Sequence, residues 1–313
     1  WLDTTDLLIL DELHKMEGWK NYIKGVFDTR PGHLKILVTG SARLETFSQS
    51  GDSLAGRYFR HRLLPFSPSE LGAAGRADLT DLLISRGGFP EPLLAGNVED
   101  SDRWRLQYAD ALVREDILDF EKIHDLKALR LVLDLLRERV GSPLSYTSIA
   151  GDAGISPNTV KKYISVFESL YIIFRVTPFS GNIARSLLKE PKIYFFDTGM
   201  VKGDEGIRFE NLAALSLLKY TLGMYDNRGK NYELRYMRTK EGKEVDFCLT
   251  LDNRPELIIE AKRSESDLSK NLLYFNEKYN IPASQIVLNL KRERKSGEIT
   301  VRDGMKFLSE LEF

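Results

Sequence analysis

The sequence is poor in the features that define several classes of protein. It has one cysteine, Cys248, which excludes an internal disulfide and a zinc cluster of several thiolates. Its apolar runs, such as Leu7–Leu10 and Tyr171–Phe174, are far shorter than the ~20 residues of a membrane-spanning helix. No basic segment of the kind that opens a signal peptide follows Trp1. These absences predict a cytoplasmic protein with no membrane partner.

The sequence also lacks an excess of charge of either sign. Lysine and arginine together number 45 and aspartate and glutamate 46, a net charge of −1. Overall electrostatics therefore does not indicate a nucleic-acid-binding protein, and any such binding depends on local patches. Hydrophobic residues make up 42% and charged residues 29% of the chain, the balance of a globular protein.

The spacing of apolar residues divides the chain into four segments. Residues 1–70 contain two apolar strands separated by a helix, which suits a parallel sheet covered by helices. Residues 71–141 have helical spacing, and residues 142–204 indicate a helix–turn–helix followed by two strands. Residues 205–313 indicate a helix, three strands, a helix and a strand. The chain is therefore predicted to be a multidomain α/β protein.

Two acids follow the first apolar strand directly. Asp11 and Glu12 come after Leu7–Leu10, and a second strand, Lys35–Thr39, ends in small polar residues. In a nucleotide-binding parallel sheet such acids face the phosphates, where the first orients the magnesium shell and the second polarises the attacking water. The alternative is a strand followed by a solvated acidic turn.

The order of these strands, together with a Gly56-Arg57 segment, resembles a prokaryotic AAA ATPase family that carries a C-terminal domain of unknown function. The resemblance implies that Asp11 is the magnesium-associated acid and Glu12 the catalytic glutamate. It also implies that Ser41 senses the phosphate and that Arg57 stabilises charge, although an arginine after a loop glycine is also an ordinary surface residue.

The phosphate-binding G-x-x-x-x-G-K-[ST] loop of such ATPases is absent from this sequence. The chain begins on a strand-like segment without an initiator methionine, and in the family this loop precedes that strand. We therefore expect an upstream truncation. We also expect ATP to be a ligand of the full-length protein and not to be hydrolysed by this chain.

The third segment has the local features of a winged helix. Gly154 lies at the turn between two helices, and Ser156 caps the second. Asn158, Lys161 and Lys162 would face a DNA groove, and the loop between the two following strands carries further basic residues. The alternative is a packing or protein-docking module with solvated lysines.

Four charged residues in the last segment fall on two consecutive strands. If the hairpin turns about Asn253, Asp246 lies opposite Glu260 and Glu244 lies opposite Lys262. Facing carboxylates repel each other and weaken a hairpin, and a cation between them removes that repulsion. Two acids with a lysine beside them suit Mg²⁺.

This pattern, with an acid in the preceding helix, resembles the PD-(D/E)XK nuclease superfamily and its restriction-endonuclease-like fold. The resemblance implies that Asp246 and Glu260 bind Mg²⁺ or Mn²⁺ and that Glu210 is an accessory metal acid. It implies that Lys262 is catalytic, because it positions the water and stabilises phosphate charge. The superfamily includes degenerate members, so an inactive charge cluster is the alternative.

Two functions are consistent with these patterns. The leading hypothesis is an ATP-binding AAA protein with a metal-dependent nuclease-like domain that acts on DNA, with RNA left open. The other is a non-catalytic, nucleotide-controlled switch or scaffold that binds nucleic acid or a partner protein through the same folds. The sequence leaves a homo-oligomer open.

Overall fold

The structure of the chain, a computed structural model, describes residues 4–40, 54–111, 125–180, 190–265 and 267–312. The chain divides into two compact units. The first covers Trp1–Arg60 together with Ser169–Tyr171, and the second covers His61–Glu168 and Ile172–Phe313. Both α-helices and β-strands occur throughout, which agrees with the predicted α/β class. No helix among the described residues is both long and apolar enough to cross a membrane.

The first unit is built on two parallel strands, β1 (Leu7–Leu10) and β2 (Lys35–Val38). The connection between them contains a short 3-10 turn, Leu13–Lys15, and helix α1 (Trp19–Thr29). Adjacent parallel strands need such a crossover, because a tight turn between two strands would make the second strand antiparallel to the first. The pairing agrees with the parallel sheet predicted for residues 1–70.

One face of this two-stranded sheet is covered among the described residues. Ile23 and Val26 of α1 pack on the side chains of alternate strand residues. Leu7, Ile9 and Leu37 point the other way and remain about half exposed. Strand side chains alternate between the two faces of a sheet, and among the described residues α1 covers one of these faces.

The second unit contains the remaining helices of the described residues. They are α2 (Pro68–Ala73), α3 (Leu82–Arg86), α4 (Pro90–Leu94), α5 (Val98–Ala111), α6 (Leu126–Arg137), α7 (Tyr146–Ala153), α8 (Pro157–Ser169), α9 (Glu205–Arg228), α10 (Lys270–Tyr279) and α11 (Gly304–Ser309). Helix α9, which contains Glu210, extends over 24 residues. Asp204 caps its first turn, and Gly229 ends it in the left-handed conformation.

A mixed sheet of eight strands, in the order β4-β3-β5-β6-β7-β8-β10-β9, runs through the second unit. Its strands are β3 (Ile173–Pro178), β4 (Lys192–Phe195), β5 (Tyr232–Arg238), β6 (Glu244–Leu251), β7 (Arg254–Ser264), β8 (Ala283–Asn289), β9 (Arg294–Ser296) and β10 (Ile299–Asp303). The strands of the predicted winged helix thus share a sheet with those after residue 204. They join it through a short pairing of Thr177 and Pro178 with β5.

The local features predicted for the third segment are present. Gly154 ends α7 with φ of 66°, and the Ser156 hydroxyl accepts the backbone N–H of Thr159 at the start of α8. The antiparallel pair β3–β4 follows. The assignment of these elements as a winged helix stays a prediction.

The elements after residue 204 begin in the predicted order, α9-β5-β6-β7-α10-β8, and continue with β9, β10 and α11. Asp252 and Asn253 form a two-residue turn, both with positive φ. Such a turn fits the twist of a β-hairpin, and Asx residues tolerate the conformation. Past this turn β6 and β7 pair with Phe247 opposite Ile259, which is the predicted register.

Candidate functional site

Six charged side chains meet in the second unit, where β4, β6, β7 and the first turns of α9 approach one another. We call them the carboxylate–lysine cluster: Lys192, Glu210, Glu244, Asp246, Glu260 and Lys262. The structure thus brings together the four residues that the sequence assigned to the metal and catalytic site of the last segment. It adds two residues that were not assigned to it.

A β-bulge directs Asp246 into the cluster. The pairing between β5 and β6 shifts by one residue, so that Tyr236 alone lies opposite Asp246 and Phe247. Such a bulge bends the strand and re-aims its side chains. The Asp246 Oδ2 atom accepts the backbone N–H of Ala261 at 3.0 Å, and Oδ1 lies 3.4 Å from the Lys192 Nζ atom. Asp246 therefore links β6, β7 and β4.

Glu260 is the most deeply buried acid of the cluster, with 5% exposure. Its Oε1 atom accepts the Lys262 Nζ at 2.7 Å and the Ser269 hydroxyl at 3.3 Å. Its Oε2 atom is also buried and has no hydrogen-bond partner among the described residues. A buried carboxylate oxygen without a partner is costly, so it marks a position where a ligand would be stabilising.

Glu244 does not pair with Lys262 as the sequence predicted. The antiparallel ladder between β6 and β7 ends before it reaches Glu244. Lys262 instead turns to Glu260, whereas Glu244 contacts the Lys192 Nζ at 2.7 Å and Arg238 at 3.4 Å. The prediction is wrong because it extended the regular register beyond the point where the paired strands separate.

Lys192, which the sequence analysis missed, lies among the acids. Its side chain is 1% exposed, and its Nζ atom lies 2.7 Å from Glu244, 3.4 Å from Asp246 and 3.9 Å from Glu210. A lysine that opens an otherwise apolar strand was the available signal, because a charge in a strand buried along its length must find partners.

Glu210 is held from the opposite side of the cluster. Its Oε1 atom accepts the hydroxyl of the buried Tyr194 at 2.8 Å. Gly141, with φ of 75°, packs against the carboxylate so closely that a Cβ atom would approach Oε1 to 2.5 Å. Two residues of the sequence before α9 therefore fix the position of this acid.

The electrostatics of the cluster reflects an excess of buried negative charge. Burial and the neighbouring Asp246 raise the pKa of Glu210 to about 8 and that of Glu260 to about 7. Burial opposes the charge of Lys192, but the surrounding carboxylates outweigh it and raise the pKa of this ammonium group. When all are ionised, the four carboxylates and two ammonium groups leave a charge of −2.

The donor set fits a hard divalent cation in part. Asp246 and Glu260 supply carboxylate oxygens, the ligands that Mg²⁺ and Mn²⁺ prefer, and one of these oxygens lacks a partner. The described residues contain no group of three or more His, Cys, Asp or Glu side chains that could hold a metal as they stand. The ammonium group of Lys192 lies among the carboxylates of the cluster.

The predicted ATPase residues lie at the carboxyl ends of the strands in the first unit. Asp11 follows β1, and its Oδ1 atom accepts a hydrogen bond from the hydroxyl of Thr39, which follows β2. Glu12 adopts a left-handed conformation with φ of 50°, and its carboxylate lies 3.2 Å from Lys15. Thr39 was not assigned to the site from the sequence, although it ends the second strand where the parallel pairing places it beside Asp11.

The two other residues assigned to phosphate sensing have different outcomes. Arg57 forms two hydrogen bonds to Asp28, at 3.0 and 3.4 Å, so its guanidinium group is engaged within the first unit. Ser41 lies outside the described residues.

The residues predicted to contact nucleic acid lie together on α8. Asn158, Lys161 and Lys162 are all exposed. Lys161 Nζ lies 5.5 Å from the centre of the Tyr146 ring. This exposure is compatible both with a groove-facing surface and with a solvated helix face. The basic loop between β3 and β4, including Arg185 and Lys189, lies outside the described residues.

Comparison with known proteins divides the chain into three matched regions. Residues 2–72 match an AAA domain, residues 77–207 a domain of unknown function (DUF8612), and residues 205–302 a second domain of unknown function (DUF4143). The first and last matches support an AAA-type ATPase family protein. No solved structure matches the chain.

Two curated relatives are uncharacterized proteins of Mycobacterium tuberculosis and Mycobacterium bovis. Each is 23% identical to this chain over 272 residues, which is 85% of this chain and 61% of the relative. The chain thus spans about three-fifths of the length of the curated relatives it matches.

Proposed function

We propose that the chain is part of an AAA-type ATP-binding protein whose residues 205–313 form a PD-(D/E)XK nuclease-like domain that acts on DNA with Mg²⁺ or Mn²⁺. The proposal is carried by the buried Oε2 atom of Glu260, which has no partner among the described residues and lies in one cluster with Asp246 and Lys262. The AAA match to residues 2–72 supports the ATP-binding part.

In this proposal Asp246 and Glu260 hold the ion, and Glu210 is an accessory acid. A bound divalent ion supplies charge stabilisation and a water of lowered pKa. Lys262, whose Nζ lies 2.7 Å from Glu260, positions the attacking water and stabilises the charge that develops on a phosphate oxygen. The bulge at Asp246 supports this role, since bulges are frequent beside active sites.

In the ATP-binding part, Asp11 acts as the magnesium-associated acid and Glu12 as the catalytic glutamate, with Ser41 as phosphate sensor. The hydrogen bond between Thr39 and Asp11 supports the role of Asp11, because it fixes that carboxylate where parallel strands place ligands. Arg57 can stabilise phosphate charge only if it leaves Asp28. On α8, Asn158, Lys161 and Lys162 provide the DNA contacts of the proposed winged helix.

The test is a cleavage assay of the full chain with single-stranded DNA, double-stranded DNA and RNA in Mg²⁺ or Mn²⁺. We expect Asp246→Asn and Lys262→Ala to lower the rate at least about 100-fold, because each removes charge stabilisation of the transition state. Asp252→Asn, the same change at the tip of the hairpin, and Lys270→Ala, at the exposed start of α10, are matched controls and should cleave normally. Cleavage that survives in both site variants would contradict the proposal.

The second candidate is the non-catalytic switch or scaffold. The position of Lys192 favours it, because an ammonium group already compensates part of the charge of the acids without a metal. This candidate predicts that wild-type protein cleaves none of the substrates. It also predicts that binding of DNA or a partner protein, measured by fluorescence anisotropy, is unchanged in Asp246→Asn and Lys262→Ala.

A further inference from the structure

We propose that Lys192 is a tethered counter-ion of the carboxylate–lysine cluster, and that a divalent cation binds at Asp246 and Glu260 only when its ammonium group withdraws. The inference rests on the proposed metal site and adds a residue that controls access to it. It assigns to β4 a role that the sequence analysis did not foresee.

The position of the ammonium group is the first support. Lys192 Nζ lies within 4 Å of Glu244, Asp246 and Glu210, and the side chain is almost fully buried. A lysine ammonium is a compact cation on a flexible stem, so it can occupy a cation position and leave it without movement of its backbone. The aromatic ring of Tyr236, centred 5.4 Å from Nζ, supplies a further favourable contact.

The charges of the cluster give the second support. With Lys192 in place, the four carboxylates exceed the two ammonium groups, and the Glu260 Oε2 atom still has no partner among the described residues. Lys192 therefore compensates the acids only in part. A divalent ion carries twice the charge of the lysine and would compete for the same carboxylates, so the two cations should exclude each other.

The third support is the position of Lys192 in the sequence and in the sheet. Lys192 belongs to β4, before the segment that contains the acids, and β4 is an edge strand of the sheet. The ladder between β3 and β5 pairs Thr177 with Arg235 and Pro178 with Tyr236. The counter-ion of the acids is therefore supplied by a strand outside the segment that contains them, and Nζ can withdraw while β4 stays in the sheet.

The first experiment measures Mn²⁺ binding to chelator-treated full chain from the electron paramagnetic resonance signal of free Mn²⁺. Lys192→Met and Lys192→Gln should bind at least about tenfold tighter than wild type, because the competing charge is gone. Lys192→Arg, which keeps the charge, and Lys127→Met, which removes an exposed lysine of α6, should not tighten binding. Adding Asp246→Asn to Lys192→Met should abolish the gain.

The second experiment uses unaltered protein and so does not depend on the folding of a variant. Reductive methylation of Lys192, followed by mass spectrometry of the peptide, should be slow without metal and at least about tenfold faster at saturating Mn²⁺, because the displaced ammonium becomes accessible. Lys161, already exposed, is the internal control and should react at the same rate in both conditions.

The outcomes separate this inference from the proposed function. One outcome would overturn the counter-ion role alone. In it, Mn²⁺ binds wild type, replacement of Lys192 does not raise the affinity for Mn²⁺, and Mn²⁺ does not change the rate of Lys192 methylation. If neither wild type nor a folded Lys192 variant binds Mn²⁺, the metal site itself is wrong, and this inference fails with it.

Discussion

Asp197→Asn should flatten the dependence of the second unit's stability on pH. Asp197 follows β4 and is 2% exposed. Its Oδ1 atom accepts the N–H of Gly199 at 2.9 Å, and its Oδ2 atom lies 3.4 Å from the Nε of Arg105. Gly87 packs so closely that a Cβ atom there would collide with the carboxylate. Burial raises the pKa of Asp197 to about 6, although Arg105 opposes the rise.

The sign of the effect follows from the pH at which Asp197 loses its proton in the unfolded chain and in the folded chain. In the unfolded chain Asp197 ionises near its ordinary pKa of 3.8, whereas in the folded chain it ionises near 6. The folded state therefore binds more protons between these values, and stability falls as pH rises through 6. A rise from 3.8 to about 6 corresponds to about 3 kcal/mol of stability that is present below pH 4 and lost above pH 6.

The asparagine variant should not show this loss. Asparagine stays neutral at every pH and can keep an oxygen toward the N–H of Gly199. Its stability relative to wild type should therefore rise by about 3 kcal/mol between pH 4 and pH 7, whatever constant cost the lost contact with Arg105 adds. The slope against pH, and not the absolute stability, is the quantity that tests the reasoning.

Urea unfolding at several pH values provides the measurement. Trp104, which stacks on Tyr108 in α5, reports on the second unit in a background with Trp1→Phe and Trp19→Phe. Asp102→Asn is the matched control, because Asp102 contacts the same Arg105 at 2.7 Å but is 63% exposed. A variant curve parallel to wild type from pH 4 to 7, or an equal change in the control, would refute the argument from burial.

Other substitutions test the packing around the cluster and the second unit. Gly141→Ala should lose about 1–2 kcal/mol more than Gly229→Ala in urea unfolding, since both glycines have positive φ but only the first would crowd Glu210; equal losses would show that the contact is unimportant. Lys219→Met should cost about 2–4 kcal/mol in the same assay, because the buried ammonium donates to Leu64 O at 3.2 Å and Pro65 O at 2.8 Å and forms an ion pair with Glu70. Adding Glu70→Gln should recover part of that loss, and strictly additive effects would mean that the pair is not coupled.

Features of the chain that depend on neighbouring residues could be predicted from the sequence. Alternating strand residues and the Asp252-Asn253 turn define the β6–β7 hairpin and its register at Phe247 and Ile259, because both are set within a few residues. The parallel pairing of β1 and β2 followed in the same way from two apolar strands with a helix between them.

Only the tertiary structure decided how the cluster is completed. Lys192 and Asp246 are 54 residues apart, and no local pattern brings them together. Their contact depends on the strand order and on the bulge opposite Tyr236, which is a property of the pair β5–β6 and not of either strand alone. The sequence by itself determined that two acids and a lysine share a hairpin. The position of the Lys192 ammonium group among those acids depends on long-range packing, which cannot be predicted from the spacing of residues within one segment.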